Sequence, residues 1–277
     1  MRAAVNAAKA VTGDTSSLTT LASRLDDAQS TATAIPQLTS ITSLTLEEAY
    51  TVQHLLVGHR VARGDRVSGV KLGFTSRAKA RQMGVDDVII GSITRGMEVP
   101  DGGQTDSAAY IHPRIEPEVA WLLGQDVDAD EESPDIGWAV EAVAPALEII
   151  DSRYRDFRFT LEDVVADNTS AAGYVIGPWQ PVAVAGDVGN RGVGLEIDGR
   201  IVQTGSTAAI LGHPYRAVAA ARRMAKTHGF TLRAGMVLLA GAATAAVPLA
   251  AGVRVQSTVS GLGCVGLQVA PGGGDHG

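Results

Sequence analysis

The strongest chemical signal in the sequence is a pair of carboxylates two residues apart, Glu116 and Glu118, in the segment HPRIEPEVAW. In a β-strand, residues i and i+2 point to the same face, so both side chains would lie together. Carboxylate oxygens are hard ligands that suit Mg²⁺ or Mn²⁺, and two of them on one strand leave positions for a third ligand, water and substrate. The pattern therefore indicates a divalent-cation site, with a solvated strand surface as the alternative.

A third ligand is available in the segment APALEIIDSRYRDF, residues 144–157. Glu148 falls inside an apolar run, where burial of an ionised carboxylate is costly unless a partner or a metal compensates. Asp151 lies close by, and spacing alone does not choose between the two. The alternative to a metal ligand is a carboxylate paired with Arg153 or Arg114.

A lysine and a polar cluster complete the candidate chemistry. Lys71 lies in the apolar segment SGVKLGFTS, which suits a buried ammonium that faces an anionic group; a lysine that extends to solvent is the alternative. Residues 167–170, Asp-Asn-Thr-Ser, form a polar cluster that is also typical of a helix cap or turn. His112 is a further metal-ligand candidate, although a structural histidine is the favoured interpretation.

These residues fall in a body of short apolar runs separated by Gly, Pro and Asp, which predicts strands and turns. The 32 glycines also predict many tight turns. The Asp198-Gly199 dipeptide predicts a type I′ hairpin. Periodicity and capping residues predict helices from Ser17 to about residue 29, from Thr45 to Gly64, over 134–146, over 160–171, and from Pro214 to Gly229.

The predicted domain organisation has one catalytic body. Residues 66–270 form this strand-rich domain, residues 1–65 form an N-terminal extension and helices packed on it, and residues 271–277 form a disordered tail. No internal repeat and no strong linker divides the body further.

Charge and cysteine content exclude several classes of function. Lys and Arg number 23 against 30 Asp and Glu, a formal charge of −7 that argues against nucleic acid or an anionic membrane as the main partner. The single cysteine, Cys264, predicts a reducing compartment and no structural zinc. No apolar run has the length of a signal peptide or membrane span, so the expected location is the cytoplasm.

Taken together, the segments resemble the fumarylacetoacetate hydrolase superfamily, in particular its branch of 2-keto-4-pentenoate hydratases and 4-oxalocrotonate decarboxylases. IIDSRYRDFRF followed by VVADN, with VPDGG ahead of IHPRIEPE, is more similar to the decarboxylases. The chain departs from the family pattern at Asp86-Asp87-Val88 and at GAAT before AAVP. The resemblance rests on GVKLGFTSRAKARQMGV (69–85), VPDGG (99–103), IHPRIEPEVA (111–120), PALEIIDSRYRDFRF (145–159), VVADNTSA (164–171), LGHP (211–214), TAAVP (244–248) and GLGCV (261–265).

The resemblance implies an α+β fold, a mixed β-roll or flattened barrel with N-terminal helices alongside. It implies that Mg²⁺ or Mn²⁺ is bound by Glu116, Glu118 and Glu148, which favours Glu148 over Asp151. The remaining site residues that it implies are the catalytic Lys71 and Asp86 and the substrate-binding Gly73, Ser76, Asn168, Ser170 and Thr244.

The activity implied by the resemblance is that of a lyase. It is the metal-dependent decarboxylation of 2-oxohex-3-enedioate (4-oxalocrotonate) to 2-hydroxypenta-2,4-dienoate in meta-cleavage catabolism of aromatic compounds. The closest alternative is a hydratase, in which Asp86 would supply the acid or base. An acylpyruvate-type carbon–carbon hydrolase and an inactive assembly partner are further alternatives. The implied partners are a small 2-oxo acid, a hydratase, and further copies of the chain.

Overall fold

The computed structural model describes residues 15–76, 87–128 and 137–271. Asp86 and the tail from residue 272 lie outside the described residues. Within these ranges the α-helices are α1 (Thr15–Ser30), α2 (Leu46–Ala62), α3 (Leu161–Ala166), α4 (Val182–Ala185) and α5 (Arg216–His228). The strands are β1 (Val67–Gly73), β2 (Ile89–Thr94), β3 (Gln104–Thr105), β4 (Arg114–Leu123), β5 (Val140–Ile150), β6 (Ala171–Ile176), β7 (Gln180–Pro181), β8 (Gly192–Ile197), β9 (Arg200–Ser206), β10 (Val237–Ala242), β11 (Val247–Pro248), β12 (Arg254–Val259) and β13 (Gly263–Val269).

Local sequence signals account for the long helices. The Thr45 hydroxyl accepts a hydrogen bond from the backbone N–H of Glu48, whose carboxylate accepts one from the backbone N–H of Thr45, so a capping box starts α2. Gly229 ends α5 in a left-handed conformation. The predictions of α1, α2 and α5 are confirmed. The predicted hairpin also forms, between β8 and β9.

Two mixed sheets make up the body. The first has the strand order β2-β1-β10-β4-β5-β6, with β11 and β7 paired to β4 and β5. The second has the order β3-β13-β12-β8-β9. Apolar side chains of β4, β5 and β6 pack against those of β8, β12 and β13 in one core cluster. The predicted α+β class, a β-roll with N-terminal helices, is confirmed.

A larger core cluster joins the N-terminal helices to the body. It contains buried side chains of α1 and α2 together with those of β1, β2, β4 and α5. Helix α2 also contacts α3. Residues on both sides of position 65 thus share one core, and the domain limit proposed there stays a prediction. Among the described residues, no helix has the length and apolar character needed to cross a membrane.

The helix predicted over 134–146 is wrong. Its described part is a short 3₁₀ turn followed by β5. Strand β5 is buried on both faces over most of its length, so its apolar residues form a continuous run that periodicity cannot distinguish from a buried helix. The helix predicted over 160–171 ends early, at Ala166, because the chain then enters a left-handed turn.

Candidate metal centre

The two carboxylate-bearing segments meet on neighbouring strands. Strands β4 and β5 pair in antiparallel register with Glu116 directly opposite Glu148, and Glu118 follows two residues along β4 on the same face. The three side chains are buried, and one carboxylate oxygen from each lies within 4.8 Å of the other two. The solvated strand surface considered from the sequence is therefore wrong.

Lys71 supplies the positive charge beside these carboxylates. It lies on β1, which is joined to β4 through β10, and its side chain is buried. Its Nζ is 2.9 Å from Oε1 of Glu148 and donates a hydrogen bond of 3.2 Å to the carbonyl oxygen of Thr169. Burial acts to lower the pKa of Lys71, but the three glutamates outweigh burial and raise it. Lys71 is therefore a buried ammonium at neutral pH, and the solvent-reaching alternative is wrong.

The electrostatics of the cluster fit a divalent cation. Burial and the two neighbouring glutamates raise the pKa of Glu118 well above its usual value, and burial raises the pKa of Glu148 although Lys71 opposes this. Three ionised carboxylates and one ammonium leave a net charge of about −2 in a buried site, which is costly without a counter-charge. Oxygen ligands at this spacing match the preference of Mg²⁺ or Mn²⁺ for carboxylates.

An irregular position in β10 holds one of the carboxylates. The pairing of β10 with β4 shifts register between Leu239 and Ala242, and the backbone N–H of Gly241 donates a 2.8 Å hydrogen bond to Oε2 of Glu118. Gly241 has φ +111°, and a Cβ added there would lie 2.0 Å from Oγ1 of Thr75. Only glycine fits this position, because both the backbone angle and the close side chain exclude a Cβ.

We expect Gly241→Ala to weaken both folding and metal binding. Backbone strain alone should cost about 1–3 kcal/mol, and the clash with Thr75 should add to it. Displacement of the donor to Glu118 should lower Mg²⁺ affinity about 10- to 100-fold. Urea unfolding and Mg²⁺ titration calorimetry measure the two effects. Gly235→Ala is the matched control, since Gly235 has φ +80° with no neighbouring atom within 4 Å of the added Cβ. Equal losses of stability and Mg²⁺ affinity in the two variants would contradict the role of Gly241 in holding Glu118.

A left-handed turn forms the wall beside Lys71. Asn168, Thr169 and Ser170 have φ values of 48°, 54° and 58°, which are uncommon for residues other than glycine. The Asn168 side chain fixes the turn to β2, since it accepts a hydrogen bond from the N–H of Ser92 and donates one to the carbonyl of Ser92, each 2.8 Å long. The turn thereby presents the Thr169 carbonyl to Lys71.

A buried ion pair holds the two ends of this turn. The Arg153 guanidinium pairs with the carboxylate of Asp167 and donates hydrogen bonds to the carbonyls of Asp167, Asp151 and Ala171. Burial raises the pKa of Asp167 to about 7, although Arg153 favours its ionised form. The suggestion that Arg153 pairs with Glu148 is thus wrong, because Lys71 takes that place.

We expect Arg153→Ala to destabilise the fold by about 3–5 kcal/mol, since it removes the guanidinium that pairs with the buried Asp167 carboxylate and donates to three carbonyl groups. Urea unfolding measures the loss. Arg155→Ala serves as the control, because Arg155 is exposed and two residues away, and a change within about 0.5 kcal/mol is expected there. A similar small change in both variants would show that the pair does not hold the turn.

Next to the carboxylate cluster lies a cavity of about 100 Å³. Of the residues predicted from the sequence, Lys71, Gly73, Ser76, Glu116 and Ser170 line it. The hydroxyls of Thr169 and Ser170 are buried, and among the described residues neither has a hydrogen-bond partner, so both are available to a ligand. The other lining residues are Leu72, Phe74, Thr75, Ile89, Ile150, Phe157, Phe159, Val164, Thr169 and Ala242.

Other candidates lie elsewhere or act differently. Asn168 is hydrogen-bonded to the backbone of Ser92 and is not among the residues that line the cavity. Thr244, two residues after the lining residue Ala242, is not among them either. Asp151 accepts hydrogen bonds from the backbone N–H groups of Ile111 and His112 and therefore shapes a loop. The location of the predicted catalytic Asp86 falls outside the described residues.

His112 and Arg114 lie away from the carboxylates, and both contact Phe157, a residue that the sequence did not single out. His112 packs on the ring of Phe157, with 4.8 Å between ring centroids, and is not part of the carboxylate group. Arg114 likewise lies over Phe157. The role of Phe157 in lining the cavity was not predicted, because the sequence shows only an aromatic residue in the segment that follows Glu148.

Comparison with known proteins gives concordant matches. Residues 83–270 match the family model described as fumarylacetoacetate (FAA) hydrolase C-terminal. A 4-oxalocrotonate decarboxylase of Pseudomonas sp is 51% identical over 88% of this chain and 94% of its own length. A 2-keto-4-pentenoate hydratase of Paraburkholderia xenovorans is 34% identical over 80% of this chain and 83% of its own.

A solved structure agrees with these matches. The 4-oxalocrotonate decarboxylase from Pseudomonas putida G7, complexed with magnesium and adipate, superimposes with a TM-score of 0.88. It is 34% identical, and the match covers 93% of this chain and 99% of that one. The similarity therefore extends over nearly the whole fold, N-terminal helices included.

Proposed function

The chain belongs to the fumarylacetoacetate hydrolase family, and we propose that within it the protein is a 4-oxalocrotonate decarboxylase, a metal-dependent lyase. Its substrate is 2-oxohex-3-enedioate and its product 2-hydroxypenta-2,4-dienoate, which belongs to meta-cleavage catabolism of aromatic compounds. The observation that carries the proposal is the buried cluster of three glutamates with Lys71, in a chain 51% identical to a decarboxylase of this name.

We propose that Glu116, Glu118 and Glu148 hold Mg²⁺, with Mn²⁺ as the other suitable ion. The fit rests on the donor set, since three buried carboxylates with one ammonium leave negative charge that a divalent cation would balance. When bound, the ion supplies electrostatic stabilisation for charge that develops on the oxygen atoms of a 2-oxo acid.

Lys71 provides the second fixed charge. Its ammonium is held between Glu148 and the Thr169 carbonyl, so it is oriented before a substrate arrives. A cation fixed in a buried site stabilises an anionic group more strongly than one in water, because no solvent reorganises around it. The free hydroxyls of Thr169 and Ser170 can donate hydrogen bonds to the same anionic end of the substrate.

The proposed reaction transfers one electron pair along a conjugated chain. The C5–C6 bond of 2-oxohex-3-enedioate breaks and C6 leaves as CO₂. The bonding pair forms C4=C5, the C3=C4 pair forms C2=C3, and the C2 carbonyl pair moves to oxygen. Protonation of that oxygen completes the product. The charge therefore moves from the distal carboxylate toward the end of the substrate that Lys71 faces.

The second candidate, a hydratase, is favoured by the 34% identical hydratase relative. Hydration needs an acid or base near the distal carbons. Among the described residues that line the cavity, the one carboxylate is Glu116, which the proposed metal engages. Asp86, which would supply that acid or base, lies outside the described residues, and decarboxylation is favoured instead by the 51% identity to a 4-oxalocrotonate decarboxylase.

The two candidates are distinguished by giving the purified protein with Mg²⁺ two compounds in separate assays. Decarboxylation predicts CO₂ release from 2-oxohex-3-enedioate and no hydration of 2-hydroxypenta-2,4-dienoate. Hydration of the second compound without CO₂ from the first would establish the hydratase instead.

We further propose that the enzyme acts in the cytoplasm, forms a homo-oligomer and associates with a hydratase. The single exposed Cys264 is compatible with a reducing compartment. Light scattering of the protein alone and with a purified hydratase tests the assembly. A monomer that stays separate from the hydratase would contradict it.

A further inference from the structure

The cavity has one charged region and an extended apolar wall. Lys71 and Glu116 supply its ionisable side chains among the described residues, and the aliphatic and aromatic lining comes largely from Ile89, Val164, Phe157 and Phe159. A substrate that places its 2-oxo acid end at the charged region therefore has its remaining atoms beside apolar groups. For a dicarboxylate those atoms include a second anionic group.

Phe157 separates this cavity from a second one. Phe157 lines both the cavity beside Lys71 and an outer groove of about 520 Å³, which is also lined by His112, Arg114 and Asp156. The guanidinium carbon of Arg114 lies 4.9 Å from the centroid of the Phe157 ring. An exposed cation thus lies on the far side of an aromatic partition from the substrate cavity.

The backbone at this partition is strained. Asp156 and Phe157 have φ values of 58° and 57°, the left-handed region that bulky residues rarely adopt. Such conformations persist where the surrounding structure enforces them, and they occur often at sites that bind or process ligands. The fold therefore maintains this position of the ring at a cost in free energy.

We propose that Phe157 determines specificity by keeping the departing carboxylate of the substrate apart from Arg114, an inference that rests on the proposed decarboxylation. An ionised carboxylate is stabilised by a neighbouring cation, whereas CO₂ is neutral and gains nothing from it. An apolar wall therefore favours cleavage of the C5–C6 bond, and a cation at the same place would strengthen ground-state binding and slow the reaction.

The experiment measures binding and turnover in Phe157→Ala, which opens the partition, and in Phe157→Ala with Arg114→Ala. The binding probe is adipate, a six-carbon dicarboxylate without the 2-oxo group or double bond, measured by calorimetry with Mg²⁺ present. We expect Phe157→Ala to bind adipate about fivefold more tightly, in line with one partly exposed ion pair, and its kcat to fall about tenfold. The added Arg114→Ala should abolish the gain in affinity and recover part of the loss in kcat.

Three further measurements make the outcome decisive. Arg114→Ala alone should keep kcat within about twofold, because the ring separates this exposed residue from the cavity. Phe157→Leu keeps an apolar side chain and should leave adipate affinity within about twofold. The monocarboxylate 2-oxopentanoate, which lacks the distal carboxylate, should show no gain in affinity with Phe157→Ala.

Weaker adipate binding in Phe157→Ala, or a gain that persists without Arg114, would overturn the inference. Circular dichroism of both Phe157 variants checks their folding. If Phe157→Ala misfolds, the adipate affinities of Phe157→Leu and Arg114→Ala test the inference in its place. A large change in adipate affinity in either of these would then contradict the partition. If the wild type releases no CO₂, the proposed function fails, whereas the adipate measurements still report whether Phe157 separates Arg114 from the cavity.

Discussion

Glu118→Gln should lower metal-dependent decarboxylation more than about 100-fold and weaken Mg²⁺ binding by a similar factor, since even loss of a group that only orients a ligand costs 10- to 100-fold. Glutamine keeps the shape of glutamate and removes its charge. Glu116→Gln should behave in the same way. Turnover and Mg²⁺ calorimetry measure the two effects.

The same substitution should not destabilise the metal-free protein. Burial and the neighbouring glutamates raise the pKa of Glu118, so its ionised form is unfavourable in the fold without a cation. A neutral amide relieves that repulsion, and Tm without metal should stay equal or rise. Glu141→Gln is the control, because Glu141 is an exposed glutamate on β5. Wild-type activity and Mg²⁺ affinity in Glu118→Gln would remove this residue from the metal site.

Lys71→Met should reduce kcat/KM about 100- to 1,000-fold, the usual effect of removing one fixed charge that stabilises a developing anion. Methionine fills the space of the lysine stem in this buried position. Mg²⁺ affinity should rise in this variant, because the ammonium that it removes lies 2.9 Å from Glu148 and competes with a cation for that carboxylate. Steady-state kinetics and calorimetry together separate the two roles.

The pH dependence gives a second check on Lys71. Its pKa is raised above the ordinary value of a lysine, so the ammonium persists through neutral and mildly alkaline pH. In the metal-free protein, Lys71 should therefore show no deprotonation up to about pH 9, which an NMR titration of its Nζ group measures. An unchanged kcat/KM in Lys71→Met would exclude the residue from the reaction.

The local part of the site could be predicted from the sequence. Strand alternation places Glu116 and Glu118 on one face, and an isolated carboxylate in an apolar run marks Glu148. The register that sets Glu116 opposite Glu148 depends on the pairing of β4 with β5, which neither segment encodes alone. For this reason, spacing alone could not decide whether Glu148 or Asp151 is the third ligand. The structure shows that the Asp151 carboxylate instead accepts hydrogen bonds from two backbone N–H groups.

The features that the sequence did not reveal depend on backbone conformation and long-range packing. Three consecutive left-handed residues at 168–170 are held by Arg153, which is 14 residues from Asp167 in the chain. The polar cluster predicted only a cap or turn there, because Asn, Thr and Ser favour many turn types. The strand β5 was misassigned for a related reason, since burial on both faces removes the alternation that identifies a strand.

The central claim is that this chain removes C6 of 2-oxohex-3-enedioate in a reaction that needs the metal at its three glutamates. The most direct test follows substrate labelled with ¹³C at C6 by NMR, with Mg²⁺, after chelation with EDTA, and after Mg²⁺ is restored. The account predicts that all label appears as CO₂ and bicarbonate beside unlabelled 2-hydroxypenta-2,4-dienoate, that chelation stops this release, and that Mg²⁺ restores it. Label retained in the organic product, or release that continues undiminished after chelation, would contradict it.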